Sequence, residues 1–554
     1  MLELKNWLEE LLAQAASQAQ KAGKLPLAVL PEPFIERSQK PEHGDYASGF
    51  PLKLARVAGA KPMSIAEDLI GLMPPAPEIK SIVAAPPGFI NFTLKSDWLT
   101  NQVDSILSAR DSYANIDIGR GSRVQVEFVS LNPTGPLHVG NVRGAILGST
   151  LANVLSAAGY DAEREYYFND AGNQINLFYR SLFIRYLQAL DKEAEMPEAG
   201  YMGNYLVDLA GEFASTEGDR FLKMDEAGAV TELGKLGVER VISKIKEELQ
   251  LLGIEFDSWF TEQSLYGNGQ YERAMSLLRK EGYIAEKEGA TWFVSTALGE
   301  DKDNVLVRSD GSPTYFATDI AYHYNKFLER KFDRVIDIWG ADHQGHVPRL
   351  KAAVGALGVN PERLELIIHQ MVTLRRGGET VRVSKRTGDI ITLRELVDEV
   401  GSDACRFFFL ARSANSQMDF DMELAKKESA DNPVYYVQYA HARIASILRL
   451  AEERGIDHSK GDVSLLTGEP ELFLVRKLLL LPELVDTIAR TLEPHHLPHY
   501  AQELATVFHS FYKQCRVISE DEDLTKARLK LVEAAKIVLA KTLHLMEMTA
   551  PGKM

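Results

Sequence analysis

One stretch, residues 122–160, constrains the fold of this chain more than any other. It begins with a short β-branched run, SRVQVEFVS, continues through the turn LNPTGPL, and ends in the helical pattern NVRGAILGSTLANVLSAAGY. A short apolar run followed by a tight turn and a helix is typical of a buried parallel strand and its crossover connection. A second strand pattern, DAEREYYFND, follows, and the alternation recurs at residues 333–358. These repeats predict an α/β fold with a parallel sheet.

The chain on either side of this pattern predicts two further domains, so the fold class is α/β multidomain. Residues 1–115 open with an amphipathic helix and close on short strands, which predicts a small α+β domain. Residues 116–400 hold the parallel sheet, interrupted at about 175–300 by a largely helical insertion. Residues 401–554 show helical periods without strand patterns and predict an all-α domain.

Composition excludes several classes of protein. The 554-residue chain is 45% hydrophobic and 25% charged, which is typical of globular proteins, and its formal net charge of -16 excludes a uniformly basic nucleic-acid-binding protein. Its two cysteines, Cys405 and Cys515, cannot form a four-cysteine zinc site, and they favour a reducing, cytoplasmic setting. Charged residues interrupt the longest apolar stretch, residues 472–481, so we predict no membrane span.

The turn after the first strand carries a candidate nucleotide site. It contains His138, and a helix begins just after Gly140. Ligands of open parallel sheets bind outside the carboxyl ends of the strands, and a helix N-terminus attracts phosphate. A histidine there can donate a hydrogen bond to a phosphate, although a packing histidine is the simpler interpretation of this turn alone. The chain contains neither a Gly-x-Gly-x-x-Gly nor a Walker A sequence.

A second loop, residues 381–393 with the sequence VRVSKRTGDIITL, is basic and lies between the last sheet pattern and the helical domain. Lys385 in this loop can meet the charge that develops on a leaving pyrophosphate. Together the two loops resemble the signature motifs of class I aminoacyl-tRNA synthetases, as His138-Val139-Gly140-Asn141 and Arg382-Val383-Ser384-Lys385. Asn141 and Arg382 stand where that class usually has histidine and lysine, so we expect activity with altered ATP affinity.

The surrounding sequence is similar to the arginyl-tRNA synthetase family over nearly the whole chain. The similar blocks, in the family's order, are HGDYAS, PGFINF, VEFVSLNPTGPLHVG, REYYFNDAGNQI, DGSPTYFATDIAYH, WGADHQGHVPRL, NPVYYVQYAHARI and APGKM. The resemblance implies a class I Rossmann-like catalytic domain with a helical insertion, an N-terminal domain that contacts the tRNA elbow, and an all-α anticodon-binding domain. It also implies an arginine–tRNA ligase that uses ATP with Mg²⁺ to form arginyl-adenylate and then charges tRNA(Arg).

The resemblance implies a role for each candidate site residue. Catalysis and ATP binding would involve His138, Gly140, Asn141, Arg382, Ser384 and Lys385. Arginine would be bound by Glu127, Asn132, His138, Tyr315, Asp319, Asp342 and His343. The carboxylates suit a guanidinium, which is always charged and offers five donors in a plane. Contacts to tRNA would come from Phe89, Asn91, Tyr435 and Tyr439.

Other partners and cofactors are not expected. The histidine clusters near residues 343 and 496 lack decisive zinc spacing, so we predict no structural zinc. We expect a cytoplasmic monomer with no DNA or membrane partner. Cysteinyl-tRNA synthetase has the same architecture but uses cysteine zinc ligands, which this chain matches poorly. A catalytically impaired paralogue that binds tRNA is the alternative from another class, supported by Asn141 and Arg382 alone.

Overall fold

The computed structural model describes residues 2–38, 40–170, 172–381 and 391–554. The N-terminal part of the chain is an α+β domain. Its elements in chain order are α1 (Leu2–Lys21), β1 (Glu36–Arg37), β2 (Tyr46–Ser48), α2 (Phe50–Ala58), α3 (Pro62–Leu72), β3 (Ile79–Ala85), β4 (Phe89–Leu94) and α4 (Ser96–Ala109). The strands form an antiparallel sheet in the order β1-β2-β4-β3. Alternate residues of β4 are buried because one face of the sheet packs on the domain core.

The middle of the chain contains the predicted parallel sheet. Its elements are β5 (Arg123–Glu127), α5 (Val139–Ala157), β6 (Asp161–Phe168), α6 (Asn173–Ala189), α7 (Asn204–Glu217), α8 (Glu226–Leu251), β7 (Ser258–Thr261), α9 (Glu262–Gly267), α10 (Gln270–Lys280), β8 (Ile284–Lys287), β9 (Ala290–Phe293), β10 (Asn304–Val307), α11 (Tyr315–Tyr324), β11 (Arg334–Gly340), α12 (Val347–Ala356), β12 (Leu364–His369), β13 (Val372–Arg376) and β14 (Glu379–Thr380). The five central strands are parallel, in the order β12-β11-β5-β6-β7. The prediction of an α/β fold is thus confirmed.

The C-terminal part is helical, as predicted. Its elements are α13 (Leu393–Val400), α14 (Ser402–Leu410), β15 (Met418–Asp421), α15 (Met422–Lys426), α16 (Pro433–Glu453), α17 (Glu469–Leu478), α18 (Leu481–Thr491), α19 (His496–Gln514) and α20 (Glu522–Leu545). None of the helices described, here or earlier in the chain, has the length and apolarity needed to cross a membrane.

Three details differ from the sequence prediction. The insertion does not extend from 175 to 300 as one helical block, because β7 lies inside that range and pairs with β6 in the central sheet. Strand β15 lies beyond residue 400 and pairs in parallel with β13, so strands do not stop where the helical patterns begin. Helix α5 begins at Val139 rather than after Gly140, because the side chain of His138 caps it. Short four-residue strands carry too little periodicity to be recognised from sequence.

Buried ion pairs join the N-terminal sheet to the helical domain. The Asp45 carboxylate, which is 2% exposed, lies 2.6 Å from Arg476 of α17. Arg37 lies 2.9 Å from Glu483 of α18, and the hydroxyl of Tyr46 donates to the same carboxylate at 2.6 Å. The HGDYAS block therefore has a structural function, since Asp45 and Tyr46 both anchor this interface.

Candidate active site

The turn before α5 is organised around His138. This residue is the N-cap of the helix, and its Nδ1 accepts a hydrogen bond from the backbone N–H of Gly140 at 3.1 Å. The side-chain oxygen of Asn141 accepts from the backbone N–H of His138 at 3.2 Å, which completes a reciprocal capping arrangement. A neutral imidazole that accepts at Nδ1 carries its proton on Nε2, where it can donate to a phosphate oxygen.

Gly140 allows the imidazole to fold back over the helix start. A Cβ atom at this position would lie 2.9 Å from Cε1 of His138, closer than carbon atoms pack. Any larger residue would displace the ring from its capping position. The glycine of the motif is thus required by the conformation of the preceding histidine.

Two other parts of the chain hold this turn in place. Glu248 of α8 accepts from the backbone N–H of Leu137 at 3.0 Å. On the other side, Val139 donates to the carbonyl of Ile391 at 3.3 Å, and Leu393 donates to the carbonyl of Leu137 at 3.1 Å. The first motif therefore contacts residues 391–393, at the C-terminal end of the basic loop that contains the second motif. Three residues of the second motif, Arg382, Ser384 and Lys385, lie outside the described residues.

A cluster of carboxylates lies at the same edge of the central sheet. Glu127 is the last residue of β5, and Glu262 begins α9 directly after β7. The Glu262 carboxylate is hydrogen-bonded to the hydroxyls of Tyr167 in β6 and Thr318 in α11, and its charge interacts with that of Asp319. Because carboxyl ends of parallel strands meet at one edge, acids distant in sequence converge there.

The electrostatics of this cluster favour a cationic ligand. Burial raises the pKa of Glu262 to about 7, and the neighbouring charge of Asp319 adds to the shift. Burial likewise raises the pKa of Asp319 to about 6, although the charges of His323 and Arg349 oppose it. A guanidinium or ammonium group bound between these acids would favour their ionised forms and lower both pKa values.

A charged network lies beneath the cluster. The Lys326 ammonium is 2.5 Å from Glu127 and 2.8 Å from Asp337 of β11, and none of its side chain is exposed. Nε2 of His323 lies 3.0 Å from the same aspartate, and Nδ1 lies 2.8 Å from the backbone oxygen of Asp319. Burial raises the pKa of Asp337, but the charges and hydrogen bonds of Lys326 and His323 together outweigh burial, and the pKa falls to about 2.

The remaining predicted arginine contacts are less buried than Glu127. The Asn132 amide, in the turn after β5, is hydrogen-bonded to Gln174 of α6. Tyr315 is the first residue of α11 and is 53% exposed, one helical turn from Asp319. Asp342 and His343 follow β11, lie 3.5 Å apart and are exposed. They lie at the correct edge of the sheet, but only Glu127 and Asp319 among the predicted acids are enclosed.

Sequence reasoning did not single out Tyr167, Glu262 or Lys326. Tyr167 and Glu262 lie at the ends of β6 and β7, so correct placement of β7 in the sheet would have indicated both. Asp319, His323 and Lys326 are spaced four and three residues apart, which places them on one helix face and was a usable signal. Within the described ranges, no three His, Cys, Asp or Glu side chains are arranged to hold a metal ion.

The predicted tRNA contacts lie on the two flanking domains. Phe89 and Asn91 are both half-buried and lie on the same face of β4. The rings of Tyr435 and Tyr439 on α16 are parallel, with centroids 6.1 Å apart, and the Arg443 guanidinium lies 5.0 Å from the Tyr439 ring centroid. His441 does not join this surface, because it is buried and its Nδ1 lies 2.8 Å from the carbonyl oxygen of Pro551.

Three families match successive parts of the chain. Residues 6–94 match the arginyl tRNA synthetase N terminal domain, residues 102–415 the catalytic domain of class I (R) tRNA synthetases, and residues 437–554 the DALR anticodon binding domain. Arginyl-tRNA synthetase from Thermus thermophilus has the same fold, with a TM-score of 0.79 at 22% identity and full coverage of both chains. The sheet, its motif-bearing turn and these matches define a class I aminoacyl-tRNA synthetase.

Similarity to known proteins identifies which family within this class the chain belongs to. The arginine–tRNA ligase of Dehalococcoides mccartyi is 60% identical over 554 residues, which cover all of both chains. That of Moorella thermoacetica is 49% identical and covers 100% of this chain and 99% of the relative. The chain belongs to the arginyl-tRNA synthetase family. Nothing in these similarities supports cysteinyl-tRNA synthetase or a catalytically impaired paralogue.

Proposed function

We propose that this chain is an arginine–tRNA ligase that carries out two steps at the carboxyl edge of its parallel sheet. In the first, the carboxylate of L-arginine attacks the α-phosphate of ATP, which forms arginyl-adenylate and releases pyrophosphate. In the second, a hydroxyl of the 3′-terminal ribose of tRNA(Arg) takes the arginyl group and AMP leaves. Neither step needs a protein nucleophile, so catalysis depends on positioning and on stabilising charge.

The turn before α5 and the basic loop would bind ATP. Nε2–H of His138 and the N-terminus of α5 would meet the phosphates, while Gly140 and Asn141 keep the turn in shape. Arg382, Ser384 and Lys385 would act on the leaving pyrophosphate, where charge develops. Mg²⁺ would be held mainly through the ATP phosphates, as is usual for this ion in ATP-dependent enzymes.

The carboxylate cluster would bind arginine. Glu127 would pair with the α-ammonium group, and Asp319 with the guanidinium, beside the Tyr315 ring. Glu262 joins these residues as a second carboxylate for the guanidinium, because it adjoins Asp319 and has a raised pKa. Asn132, with Asp342 or His343, would contact the polar groups of the substrate. The observation that carries the proposal is the convergence of buried acids beside the His138 turn.

The flanking domains would bind tRNA. Phe89 and Asn91 would contact the elbow, and Tyr435 and Tyr439 would stack on anticodon bases, since parallel aromatic rings suit splayed bases. The proposed domain boundaries lie at about residues 115 and 400. By resemblance to the family, the protein would act as a cytoplasmic monomer and require bound tRNA before it activates arginine.

Pyrophosphate exchange tests this proposal directly. The purified protein is incubated with ATP, labelled pyrophosphate and each amino acid in turn, with and without total tRNA. We expect exchange with arginine alone, and only when tRNA is present. Retained tRNA binding without exchange for any amino acid would overturn the proposal in favour of a tRNA-binding protein.

A further inference from the structure

Lys326 is a fully enclosed cation directly beneath the proposed arginine pocket. Its ammonium group contacts two carboxylates, Glu127 at 2.5 Å and Asp337 at 2.8 Å. It also lies 4.2 Å from the centroid of the Tyr322 ring, which adds a cation–π contact. Lysine suits this position because its compact ammonium can direct three donors into separate partners.

The helix that carries the pocket also carries this lysine. Asp319 and His323 belong to α11, and Lys326 lies in the π-helical turn Asn325–Glu329 that continues it. Their spacing places the three side chains on the helix face that packs toward β5 and β11. Helix α11 and the turn that continues it therefore reach from the proposed pocket to the charged network below. Glu127 is the point where this network meets the proposed substrate site, because its Oε2 accepts from Lys326.

The charges in this network depend on Lys326. Burial raises the pKa of Glu127, and the charge of Lys326 is the main opposing influence. Without the lysine, His323 would be the cation left in this network for the two buried carboxylates, Glu127 and Asp337. One of the two carboxylates would then take up a proton. That proton would settle on Glu127, because Asp337 keeps the direct contact with His323 at 3.0 Å.

We propose that Lys326 is a positioning residue for arginine activation, which acts through Glu127 by keeping its carboxylate ionised and oriented toward the α-ammonium group of arginine. The proposal rests on the proposed function, since Glu127 is a substrate contact only there. A protonated Glu127 would lose its attraction for the ammonium group, whereas ATP would bind at the His138 turn as before.

The test is Lys326→Met in the full-length protein, assayed by pyrophosphate exchange with saturating tRNA between pH 6 and 8.5. We expect KM for arginine, divided by the wild-type value at the same pH, to rise about tenfold for each unit by which the pKa of Glu127 exceeds the pH, and this ratio to fall to one as the pH increases. Taking the ratio removes the pH dependence that Asp319 and Glu262 give to both proteins. KM for ATP should stay unchanged.

The other titratable groups facing Glu127 are His323 and Tyr322 on the helix, Asp337 on β11 and Tyr167 on β6. The same profile in Lys326→Met/His323→Gln would exclude the imidazole as its source.

A matched control separates positioning from simple loss of a buried ion pair. The Lys530 side chain on α20 of the helical domain is also buried, and its ammonium lies 2.6 Å from the half-exposed Asp104 of α4. Lys530→Met should lower the melting temperature without changing KM for arginine. A normal KM for arginine in Lys326→Met at every pH would overturn the proposal. Absence of arginine-dependent exchange in the wild-type protein would instead refute the proposed function.

A second variant covers the case in which Lys326→Met does not fold. Glu127→Gln/Lys326→Met removes one positive and one negative charge together and leaves Asp337 paired with His323. If Lys326 acts through Glu127, this double variant should have the same KM for arginine as Glu127→Gln alone. A further tenfold rise in the double variant would mean that Lys326 acts by another route.

Discussion

His138 and Thr392 pair as an antiparallel β-bridge, which joins the first signature motif to the C-terminal end of the basic loop that carries the second. Residues 137–139 and 391–393 are about 250 residues apart in sequence, yet their backbones hydrogen-bond on both sides of this bridge. Residues 391–393 are therefore held against the residue that caps α5. Positioning catalysis requires such a link, since both motifs must act on one ATP molecule.

Glu248 contacts the His138 turn on the side opposite the bridge to Thr392, so we predict that it stabilises this turn. Glu248→Ala leaves the buried N–H of Leu137 without its acceptor, which should lower the free energy of unfolding by about 1–3 kcal/mol and raise KM for ATP. Glu248→Gln retains an acceptor oxygen and should behave nearly as wild type. Urea unfolding and ATP-dependent exchange measure the two effects. Equal KM for ATP in all three proteins would show that the turn does not need this contact.

Arg143 predicts a large effect on stability. Its fully buried guanidinium donates to the carbonyls of Gln370, Ser413 and Ser416 at 2.7–2.9 Å, and burial lowers its pKa to about 10. Arg143→Met should lower the free energy of unfolding by about 3 kcal/mol, because three carbonyls lose hydrogen bonds from one fully buried, charged donor. Arg180→Met, at a half-exposed pair with Glu226, should change it by less than about 0.5 kcal/mol in the same urea titration.

The raised pKa values of the acid cluster predict that arginine binding releases protons. With pKa values of about 6 for Asp319 and about 7 for Glu262, the two acids together hold about one proton at pH 6.5, and binding should expel it. Affinity should fall as the pH decreases through this range, because the protonated acids no longer attract the guanidinium. Calorimetry in buffers of different ionisation enthalpy counts the released protons. A release of zero at pH 6.5 would contradict the assignment.

Substitution of Asp319 tests the same pocket by a different route. Asp319→Asn should weaken arginine binding at least about tenfold, since it removes a charged partner of the guanidinium. Asp310→Asn, in the exposed turn before the same helix, should leave affinity unchanged. Equilibrium binding of labelled arginine in the presence of tRNA measures both. Unchanged affinity in Asp319→Asn would remove this residue from the pocket.

Lys385 should affect turnover far more than substrate binding. Lys385→Ala removes a charge that would stabilise the leaving pyrophosphate, so kcat of exchange should fall by about 100-fold or more while arginine affinity stays the same. Lys302→Ala, in an exposed loop away from the central sheet, serves as the control. Equal losses of kcat and arginine affinity would refute a role specific to the leaving group.

Tyr439 should contribute to tRNA affinity. Its ring is parallel to that of Tyr435 and is contacted by Arg443, so Tyr439→Ala should weaken tRNA binding by about 1–3 kcal/mol if a base stacks there. Leu450→Ala, at an exposed position on the same helix, should have no effect. Filter binding measures both affinities, and a normal tRNA affinity in Tyr439→Ala would exclude stacking on this ring.

The sequence by itself determined the parallel sheet, the helical C-terminal domain and the motif-bearing turn at His138, because strand, turn and helix signals are local and the turn follows a strand directly. Resemblance to the family pointed to Glu127 and Asp319. Only the tertiary structure decided that Glu262 joins them and that Lys326 contacts Glu127 across 199 residues. Strand pairing brings these groups together, and burial shifts their pKa values. Neither strand order nor burial can be deduced from a local segment of the sequence.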